Sequence, residues 1–510
     1  MIIEFDRAMN LPHALLSSPL ARGHGAAPRQ RQLIQRLKQA ILAGQLPAGG
    51  KLPSSRTLAD ELDISRNTVL IAYEQLTAEG YVVADRQGTR VAPLSAAATS
   101  AARQAEPPQP APFTAARLGR IASTRVPNDG ALPLTPGTPA LNQFPVNAWR
   151  RAQDRALQAA PSATLGYGHP MGEPALRAAI AQYLRVSRGV RCDASHVVIT
   201  EGAQGALALC VQLLTNPGDT AWLEEPGYRG AKSAFHAGDL DVVPMRVDAD
   251  GLVIPEDAWR KPPRLIQATP THQYPTGAVL SVARRLDLLE RARRVGAWII
   301  EDDYDSEFRH QGEPIAAMQG LLPDAPVLYV GTFSKTMFPA LRLGFLVLPP
   351  ALAASATPSI IEMLRGGHRL EQLTMAAFIE NGQFSRHLGR MRRLYRERQA
   401  ALRDALAAHM DVEHDVLGGH SGLHLTVRLP PCFPDTRIAE QARAAGMSPN
   451  ALSSFAVSPL PEDNGLVIGY GNTGAERFPA LVKRLARLAR ETRLERDAPR
   501  QRVGGKDARA

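Results

Sequence analysis

The chain has 510 residues, 59 Lys and Arg against 49 Asp and Glu, a formal net charge of +10 and 44% hydrophobic residues. At roughly 100–200 residues per domain, this length predicts about three domains, or one large domain with a small appendage. The composition excludes an overall disordered chain, because it supplies enough apolar residues for a sizeable core. The three cysteines have no CxxC spacing, which excludes a disulfide framework and a cysteine zinc site. No metal site is predicted.

The apolar runs and the first residues bear on localisation. No apolar stretch reaches the roughly 18 residues that a membrane-spanning helix needs. The start MIIEFDRAMN has two acidic residues where a signal peptide needs a basic one. These features predict a soluble protein of a reducing compartment, the cytoplasm, with no membrane partner. The basic balance hints at nucleic acid, although net charge alone decides nothing about specificity.

Residues 1–91 have the pattern of a small helical unit followed by a hairpin. Helical spacing of apolar residues predicts a first helix over 29–43. Ser54 and Ser65 stand where they cap a second and a third helix, which the short turn LDIS separates. The text YVVADRQGTRV then predicts two short strands around a turn at Gly88. This order of elements is the plan of a winged helix-turn-helix.

Polar residues gather at the start of the predicted third helix. Ser65, Arg66, Asn67 and Thr68 lie there, where side chains and free backbone N–H groups can meet base edges and phosphates. Arg56, at the start of the second helix, suits a phosphate contact. The periodicity alone is also compatible with a small helical bundle in which these residues are caps and solvated surface.

The text KLPSSRTLADELDISRNTVLIAYEQLTAEGYVVADRQGTRV resembles the DNA-binding domain of the GntR regulators. The resemblance implies base or phosphate contacts from Arg56, Ser65, Arg66, Thr68 and the wing around Gly88. The wing departs from the family pattern, because it has glutamine at position 87 where the family often has glycine. Operator DNA is therefore the predicted partner of this head.

A change of composition follows the head. In the stretch from Ala92 to Pro112, 8 Ala and 5 Pro fill 13 of 21 positions. Such a stretch buries too little surface to offset its ordering entropy, so it predicts a linker. An alanine-rich helix fits its first half, but the prolines from Pro107 onward end any helix. The predicted organisation is head 1–91, linker 92–120, body 121–495 and a disordered tail 496–510.

Strand-like runs alternate with helical patterns beyond the linker: HVVIT, AWLEE, PRLIQATP, AWIIEDD, PVLYVGT and LGFLVLP. This alternation predicts an α/β fold with a mostly parallel sheet and helices on both faces. Ligands of such sheets bind beyond the carboxyl ends of the strands. The polar residues just after these runs are therefore the candidate site.

Two polar patterns follow the runs HVVIT and AWIIEDD. The turn GAQG at 202–205 opens a helix, whose backbone N–H groups can cradle a phosphate, although such a turn is often only a tight turn. Asp302 or Asp303 can hold a protonated ring nitrogen, and Tyr304 can meet a ring hydroxyl. A capping acidic loop explains the second pattern equally well.

Two more patterns follow PVLYV. Lys335 lies in the turn GTFSKT, where a lysine held at a ligand can form a Schiff base, although most lysines are solvated charges. Arg342, in LRLG, can add positive charge to a phosphate site. Each pattern is common by itself, and their order is the stronger signal.

This order resembles that of fold type I pyridoxal-phosphate enzymes, the aspartate aminotransferase group, from about Pro133 to the end of the body. The resemblance implies pyridoxal 5'-phosphate as the cofactor, with Lys335 as the catalytic residue that forms the internal aldimine. Asp302 would pair with the pyridinium nitrogen, Tyr304 would bond the ring hydroxyl, and Tyr228 would lie against the ring. The implied phosphate ligands are Ala203, Gln204, Thr332, Ser334 and Arg342.

The resemblance has one further implication and leaves one choice open. Tyr167 matches a tyrosine that reaches the phosphate of the partner subunit, which implies a homodimer. The residues alone do not choose between Asp302 and Asp303 as the partner of the ring nitrogen. Asp302 is preferred because the related regulators have D-x-Y spacing.

Two positions depart from the aminotransferase pattern. Tyr274, in YPTG, stands where an asparagine would bond the ring hydroxyl. The C-terminal strand NGLVIGYGN has Gly465 or Leu466 where an arginine would bind the substrate α-carboxylate. Arg428 or Arg229 can substitute for that arginine, or both are surface or structural residues. The missing anchor argues against ordinary transamination.

A GntR-like head joined to an aminotransferase-like body resembles the MocR regulators, and the phrases TPTHQYPTG and IIEDDYDSEFRH are similar to that subgroup's own text. The leading hypothesis is a transcriptional regulator in which a small amine, an amino acid or the cofactor itself exchanges at Lys335. The alternatives are a working aminotransferase with a localising head and a cofactor-free DNA-binding scaffold. Dimeric heads imply two half-sites in the operator.

The charge is not concentrated in the head. Residues 1–91 hold 11 Arg and Lys against 8 Asp and Glu, a net charge of +3, which leaves +7 for the rest of the chain. Part of this excess lies between Arg386 and Arg403, with seven arginines and one glutamate. Such a run predicts a solvated helix face, and it can also attract the DNA backbone.

Overall fold

A computed structural model describes residues 19–21, 27–93, 115–121, 132–159 and 166–493. The chain divides into two compact units, Met1–Phe113 and Thr114–Ala510. The predicted tail and most of the predicted linker lie outside the described residues, so those boundaries stay predictions. The last part of the predicted linker includes most of a short helix (Arg117–Ile121), whose Arg117 donates to the Asp239 carboxylate at 2.6 Å.

The first unit has three helices and a hairpin. They are α1 (Arg29–Leu42), α2 (Ser55–Leu62), α3 (Arg66–Ala78), β1 (Val82–Asp85) and β2 (Gly88–Val91). The hydroxyl oxygens of Ser54 and Ser65 each accept the backbone N–H three residues later at 3.2 Å, so both predicted N-caps are present. The strands pair antiparallel. The predicted winged helix-turn-helix plan is confirmed.

The second unit is built on an eight-stranded sheet in the order β3-β10-β9-β8-β7-β4-β5-β6. Its strands are β3 (Val197–Glu201), β4 (Thr220–Glu225), β5 (Asp241–Asp248), β6 (Gly251–Leu252), β7 (Leu265–Ala268), β8 (Trp298–Asp303), β9 (Val327–Thr332) and β10 (Leu343–Val347). Strands β9, β8, β7, β4 and β5 run parallel, whereas β10 is antiparallel to both neighbours. The predicted mostly parallel sheet is therefore confirmed.

Helices pack on this sheet and on a smaller one. The helices are α4 (Arg117–Ile121), α5 (Val146–Ala159), α6 (Pro174–Arg188), α7 (Gly202–Leu214), α8 (Arg229–Ala237), α9 (Val282–Val295), α10 (Pro350–Met363), α11 (Arg369–Glu380), α12 (Gln383–His409), α13 (Asp435–Ala444) and α14 (Phe478–Glu491). Ile299 and Ile300 of β8 are both fully buried and belong to different apolar clusters. Successive strand residues point to opposite faces, so both faces of the sheet are covered.

The smaller sheet has the strand order β11-β12-β14-β13 and is antiparallel. Its strands are β11 (Asp415–Leu417), β12 (His424–Arg428), β13 (Asn450–Ala451) and β14 (Gly465–Gly469). Across the described part of the chain, no helix is both long and apolar enough to cross a membrane.

The arginine-rich run lies on the 27-residue helix α12. Six of its seven arginines donate to main-chain carbonyls, namely Arg386, Arg390, Arg392, Arg396, Arg398 and Arg403. Arg392, for example, donates to the Glu307 carbonyl at 2.6 Å, and Arg403 donates to the Gly418 carbonyl at 2.6 Å. These side chains therefore tie α12 to loops of the body, which a purely solvated face would not do.

Candidate cofactor site and nucleic-acid interface

Segments far apart in the chain meet at the carboxyl ends of the parallel strands. They line a cavity of about 700 Å³. Nine of the predicted cofactor residues line it: Ala203, Gln204, Tyr228, Asp302, Tyr304, Thr332, Ser334, Lys335 and Arg342. The sheet order explains the convergence, because β4, β8 and β9 all end at the same edge.

Lys335 is half-buried at the end of β9. Its Nζ donates to the Gly137 carbonyl at 2.9 Å, so the amine is held inside the cavity. A lysine amine held at a ligand cavity is the arrangement that covalent chemistry with a carbonyl compound needs.

Asp302 and Asp303 are both buried but have different surroundings. Asp303 accepts from the Arg188 guanidinium at 2.7 and 2.9 Å and from the Tyr329 hydroxyl at 2.5 Å. Burial opposes ionisation of Asp303, but the Arg188 charge and the hydrogen bonds from Ser306, Tyr329 and Arg188 together outweigh it, so the pKa is lowered. Asp302 lines the cavity with only 4% exposure, and its Oδ1 has no hydrogen-bond partner among the described residues.

An unpartnered buried carboxylate oxygen is costly unless a ligand completes it. Burial, with the nearby Asp303 charge, raises the pKa of Asp302 to about 7. A protonated ring nitrogen would supply both the missing hydrogen bond and the missing positive charge. Asp302 therefore fits the nitrogen of a pyridoxal ring, whereas Asp303 is already committed to Arg188.

Several lining residues of the cavity suit a phosphate. Helix α7 begins at Gly202, so the first N–H groups of the helix lie beside Ala203 and Gln204. The hydroxyls of Thr332 and Ser334 are 3.1 Å apart, and Arg342 donates to the Glu201 carbonyl at 3.0 Å. Helix N–H groups, hydroxyls and a guanidinium are the donors that a phosphate dianion accepts. These residues fit pyridoxal phosphate.

Aromatic residues form the walls of the cavity. The Tyr304 hydroxyl oxygen lies 3.0 Å from His272 Nδ1. Burial raises the pKa of Tyr304 well above its ordinary range. Tyr274, which replaces the expected asparagine, packs edge-on against Tyr228, Tyr304 and Phe455, with ring centroids 6.3, 5.7 and 5.2 Å apart.

Sequence reasoning missed several lining residues, among them Asn450 and Phe455. Tertiary contacts bring their segment to the cavity, because the Glu225 carboxylate accepts backbone N–H groups of Val457 and Ser458 at 2.7–2.8 Å. These residues have no motif around them, so no pattern in the sequence marks them.

The two arginines proposed to bind a substrate carboxylate differ in their position relative to the cavity. Arg229 lines the cavity, whereas Arg428 is not among the lining residues. Arg428 lies opposite Gly465 across β12 and β14. A Cβ on Gly465 would lie 2.4 Å from the Val427 carbonyl oxygen, so this position has no room for the expected arginine. Tyr167 also lies outside the cavity and is 84% exposed.

We expect Asp302→Asn to stabilise the cofactor-free protein. Below about pH 4, the pKa of an aspartate in the unfolded chain, Asp302 is protonated in both the folded and the unfolded state and does not reduce the stability. In the folded protein the pKa of Asp302 is raised to about 7. The free-energy cost of burying the ionised carboxylate therefore grows from about pH 4 to about pH 7 and is fully present above that. Urea unfolding should therefore show a gain in the free energy of unfolding that is larger near pH 8 than near pH 5.

Asp303→Asn is the matched control for this prediction. It leaves Arg188 in a buried site without its carboxylate partner, which costs about 3–5 kcal/mol. The two neighbouring substitutions should thus change stability in opposite directions. Equal destabilisation by both would contradict the different surroundings assigned to them.

The first unit presents the predicted DNA-contacting residues at the start of α2 and α3 and in the hairpin. Arg56, Ser65, Arg66 and Asn67 are exposed, whereas Thr68 is half-buried. Ser65 also bonds the Thr68 hydroxyl at 2.8 Å as part of the helix cap.

The wing lies at the hairpin turn. Gly88 opens β2 with a φ of +122°, and the Gln87 N–H donates to the Asp85 carboxylate at 2.7 Å. Such a conformation favours glycine, which explains residue 88. The other face of α3 packs into the core through residues such as Val69, Ala72 and Leu76. The exposed start of α3 is therefore available to a groove of DNA.

Comparison with known proteins agrees with both parts. The family "Aminotransferase class I and II" matches residues 132–451, and "Bacterial regulatory proteins, gntR family" matches residues 29–91. The chain is 39% identical over 448 residues to the "Probable rhizopine catabolism regulatory protein MocR" of Rhizobium meliloti, covering 87% of this chain and 90% of that protein. It is 30% identical to the "HTH-type transcriptional regulator TauR" of Rhodobacter capsulatus, covering 91% and 97%.

A solved structure shares the fold of the body. LysN, the α-aminoadipate aminotransferase of Thermus thermophilus complexed with N-(5'-phosphopyridoxyl)-L-leucine, has a TM-score of 0.66 at 26% identity over 74% of this chain and 97% of that chain. The fold and the site thus define a protein with a DNA-binding head and a fold type I body that fits pyridoxal phosphate.

The chain belongs to the MocR-type subgroup of the GntR family of transcriptional regulators. Regulation of transcription and DNA binding through the head follow from this membership. The predicted fold class and family are confirmed.

Proposed function

We propose that this regulator binds operator DNA as a homodimer and that its body holds pyridoxal phosphate and senses a small amine or amino acid. The observation that carries the proposal is that Lys335 and the unpartnered Asp302 oxygen both lie at one cavity. When bound, pyridoxal phosphate supplies a carbonyl group that reacts with primary amines. A protein that acts on operator DNA belongs in the cytoplasm.

The residues of the cavity have separate proposed roles. Lys335 holds the cofactor covalently until an amine displaces it, and Asp302 accepts the ring-nitrogen proton. Tyr304 donates to the ring hydroxyl, and Tyr228 packs against the ring. The proposed phosphate ligands are Ala203, Gln204, Thr332, Ser334 and Arg342.

Tyr167 supports the homodimer. It lies outside the cavity of its own chain and is 84% exposed, which suits a residue that completes the phosphate site of the partner subunit. In each head, Arg66 and Asn67 read the DNA, and Arg56 and the wing at Gly88 contact its backbone. Ser65 and Thr68 are proposed to contribute while capping α3. Paired heads then require paired half-sites.

The lining of the cavity suggests the class of effector. Arg229 offers a positive charge to an anionic end of the ligand, and Tyr274 and Phe455 offer apolar contact. We propose an amino acid or an amine with an acidic group, whose binding is coupled to the arrangement of the heads. Such coupling requires different affinities for the ligand in the DNA-binding and non-binding states.

A panel of amines and amino acids tests the proposal. Each amino acid is paired with the amine that lacks its carboxylate, and two signals are recorded: the absorbance of the bound cofactor and the operator affinity by fluorescence anisotropy. We expect an effector to change the absorbance and to change operator affinity by about 5–150-fold. No response of the absorbance to any amine would contradict sensing.

The rival function is a working aminotransferase, favoured by the nine cofactor positions that line one cavity. Steady-state formation of a keto acid from an amino donor would support it. The lack of room for an arginine at Gly465 argues against it, because the usual carboxylate anchor is missing. We therefore propose that the body senses its ligand without turnover.

A further inference from the structure

A buried imidazole–carboxylate pair lies beside Tyr304, outside every role described above. His272 Nδ1 is 2.8 Å from Asp305 Oδ1 and 3.0 Å from the Tyr304 hydroxyl. His272 is 3% exposed and Asp305 1%. The three side chains thus form one hydrogen-bonded unit that reaches from the protein interior to the cavity wall.

The direction of the bonds follows from the chemistry of the groups. An ionised carboxylate only accepts, so His272 Nδ1 carries the proton that it donates to Asp305. His272 therefore does not use the phenolic hydrogen of Tyr304. That hydrogen is left to donate into the cavity, where a ring hydroxyl or its anion would accept it.

Packing leaves this unit little freedom. The rings of His272 and Tyr304 stack with centroids 5.7 Å apart, and the centroid of the His424 ring lies 5.0 Å from that of His272. Gly422 packs so closely that a Cβ there would lie 2.1 Å from His272 Cε1 and 2.5 Å from Asp305 Oδ2. Only glycine lets the loop approach, so the imidazole is clamped in one orientation.

The replacement of an asparagine by Tyr274 makes the orientation of the Tyr304 hydroxyl more important. It stands at the position where the aminotransferase pattern has an asparagine that bonds the ring hydroxyl. Its ring meets that of Tyr304 edge-on, at 86°. With the asparagine absent, the hydrogen bond from Tyr304 carries more of the task of holding the ring hydroxyl.

We propose that His272 and Asp305 are positioning residues that orient the Tyr304 hydroxyl toward the bound cofactor. They thereby set the pH at which the cofactor changes its protonation state. This inference rests on the proposed function, because it needs pyridoxal phosphate in the cavity.

Other ionisable groups face the unit from the surrounding elements. Those that interact with Tyr304, Asp305 or His424 are Asp302, Asp303, Glu224, Tyr274, Glu307, Lys335 and Tyr470. His310 faces His272 from the interior. Burial lowers the pKa of His310 to about 4 and that of His424 to about 3, so both stay neutral near pH 7. The variants below leave all of these groups in place.

The chain offers a matched pair of variants. His272→Asn places an amide near the position of Nδ1, which makes both hydrogen bonds, whereas His272→Gln places it near Nε2, which has no partner among the described residues. The experiment titrates the absorbance of the loaded full-length protein with pH. We expect His272→Gln and Tyr304→Phe to shift the midpoint by about one pH unit, and His272→Asn to stay near the wild type.

A double variant separates positioning from a general disturbance. Once Tyr304→Phe removes the hydroxyl, His272→Gln should shift the midpoint no further. His387→Gln removes another buried imidazole, and the glutamine amide can keep the hydrogen bond that His387 Nε2 makes with the Thr336 carbonyl. This variant should leave the midpoint unchanged. Thermal unfolding of each variant controls for loss of structure.

Each result decides the inference. An additive shift in the double variant, or an unshifted midpoint in His272→Gln, would overturn it while the proposed function stands. The side chains of His272, Asp305 and His424 also lie within 4.8 Å of one another, so zinc content is measured. One equivalent of zinc per chain would overturn the hydrogen-bonded unit. Failure of the wild type to take up pyridoxal phosphate would overturn both proposals.

Discussion

Replacing Lys335 by alanine is expected to abolish covalent retention of pyridoxal phosphate. The amine now lies in the cavity 2.9 Å from the Gly137 carbonyl, and among the cavity-lining residues it is the only lysine. Without it, the cofactor is held by hydrogen bonds and ion pairs alone and should be lost on gel filtration. The characteristic absorbance of the purified protein and the response of operator binding to amines should disappear together.

Lys335→Arg is the matched variant, because it keeps a positive charge at this position but cannot form the same covalent bond. We expect it to fail in the same way as the alanine variant. In the wild type, borohydride reduction followed by peptide mapping should label the peptide that contains Lys335. Labelling of another lysine would refute the assignment, and unchanged absorbance and regulation in Lys335→Ala would favour a cofactor-free scaffold.

Arg66→Ala is expected to abolish specific operator binding while leaving the cofactor absorbance intact. Arg66 is exposed at the start of α3 and makes one described contact, to the Ser55 hydroxyl at 3.3 Å. A good bidentate contact of arginine with a base contributes about 1–3 kcal/mol. Because a dimer loses it in both heads, we expect operator affinity to fall by about 100-fold or more.

Two variants control for the loss of charge. Arg31→Ala removes an exposed arginine from α1 of the same unit and should change operator affinity little. Arg66→Lys keeps the charge but loses the forked geometry, so it should retain non-specific binding and lose discrimination between operator and random DNA. DNase footprinting and anisotropy at fixed salt measure both. A retained footprint in Arg66→Ala would refute the assignment of α3 as the helix that reads the operator.

The arginine-rich run of α12 shows what a count of charges leaves out. The arginines between 386 and 403 suggested a solvated face or a DNA-binding surface. Four of the seven are exposed, as a solvated face requires, and five of the seven also donate to carbonyls of distant loops. The exposed Arg396, for example, donates to the His310 carbonyl at 3.1 Å. Guanidinium groups can satisfy the backbone carbonyls of loops. A count of charges contains no information about such contacts.

The two neighbouring aspartates show the same limit at the site. Their sequence context is nearly identical, and only spacing favoured Asp302. In the folded chain, Arg188 and Tyr329 donate hydrogen bonds to Asp303. Asp302 lines the cavity, and its Oδ1 has no hydrogen-bond partner among the described residues. Adjacent residues of a strand point to opposite faces, so Asp302 and Asp303 meet different partners. The assignment of Asp302 to the ring nitrogen remains a prediction that the Asp302→Asn comparison addresses.

The sequence by itself determined the two-part architecture, the order of the sheet-forming runs and the nine residues that meet in one cavity. The architecture and the runs follow from local signals, namely apolar periodicity, helix caps and motifs at strand ends. The nine cavity residues were implied by the resemblance of those motifs, in their order, to fold type I enzymes. Only the tertiary structure decided which of two aspartates faces the cavity, that Phe455 and Asn450 reach it, and that His272 and Asp305 stand behind Tyr304. Those facts depend on contacts between residues far apart in the chain, and no local pattern encodes them.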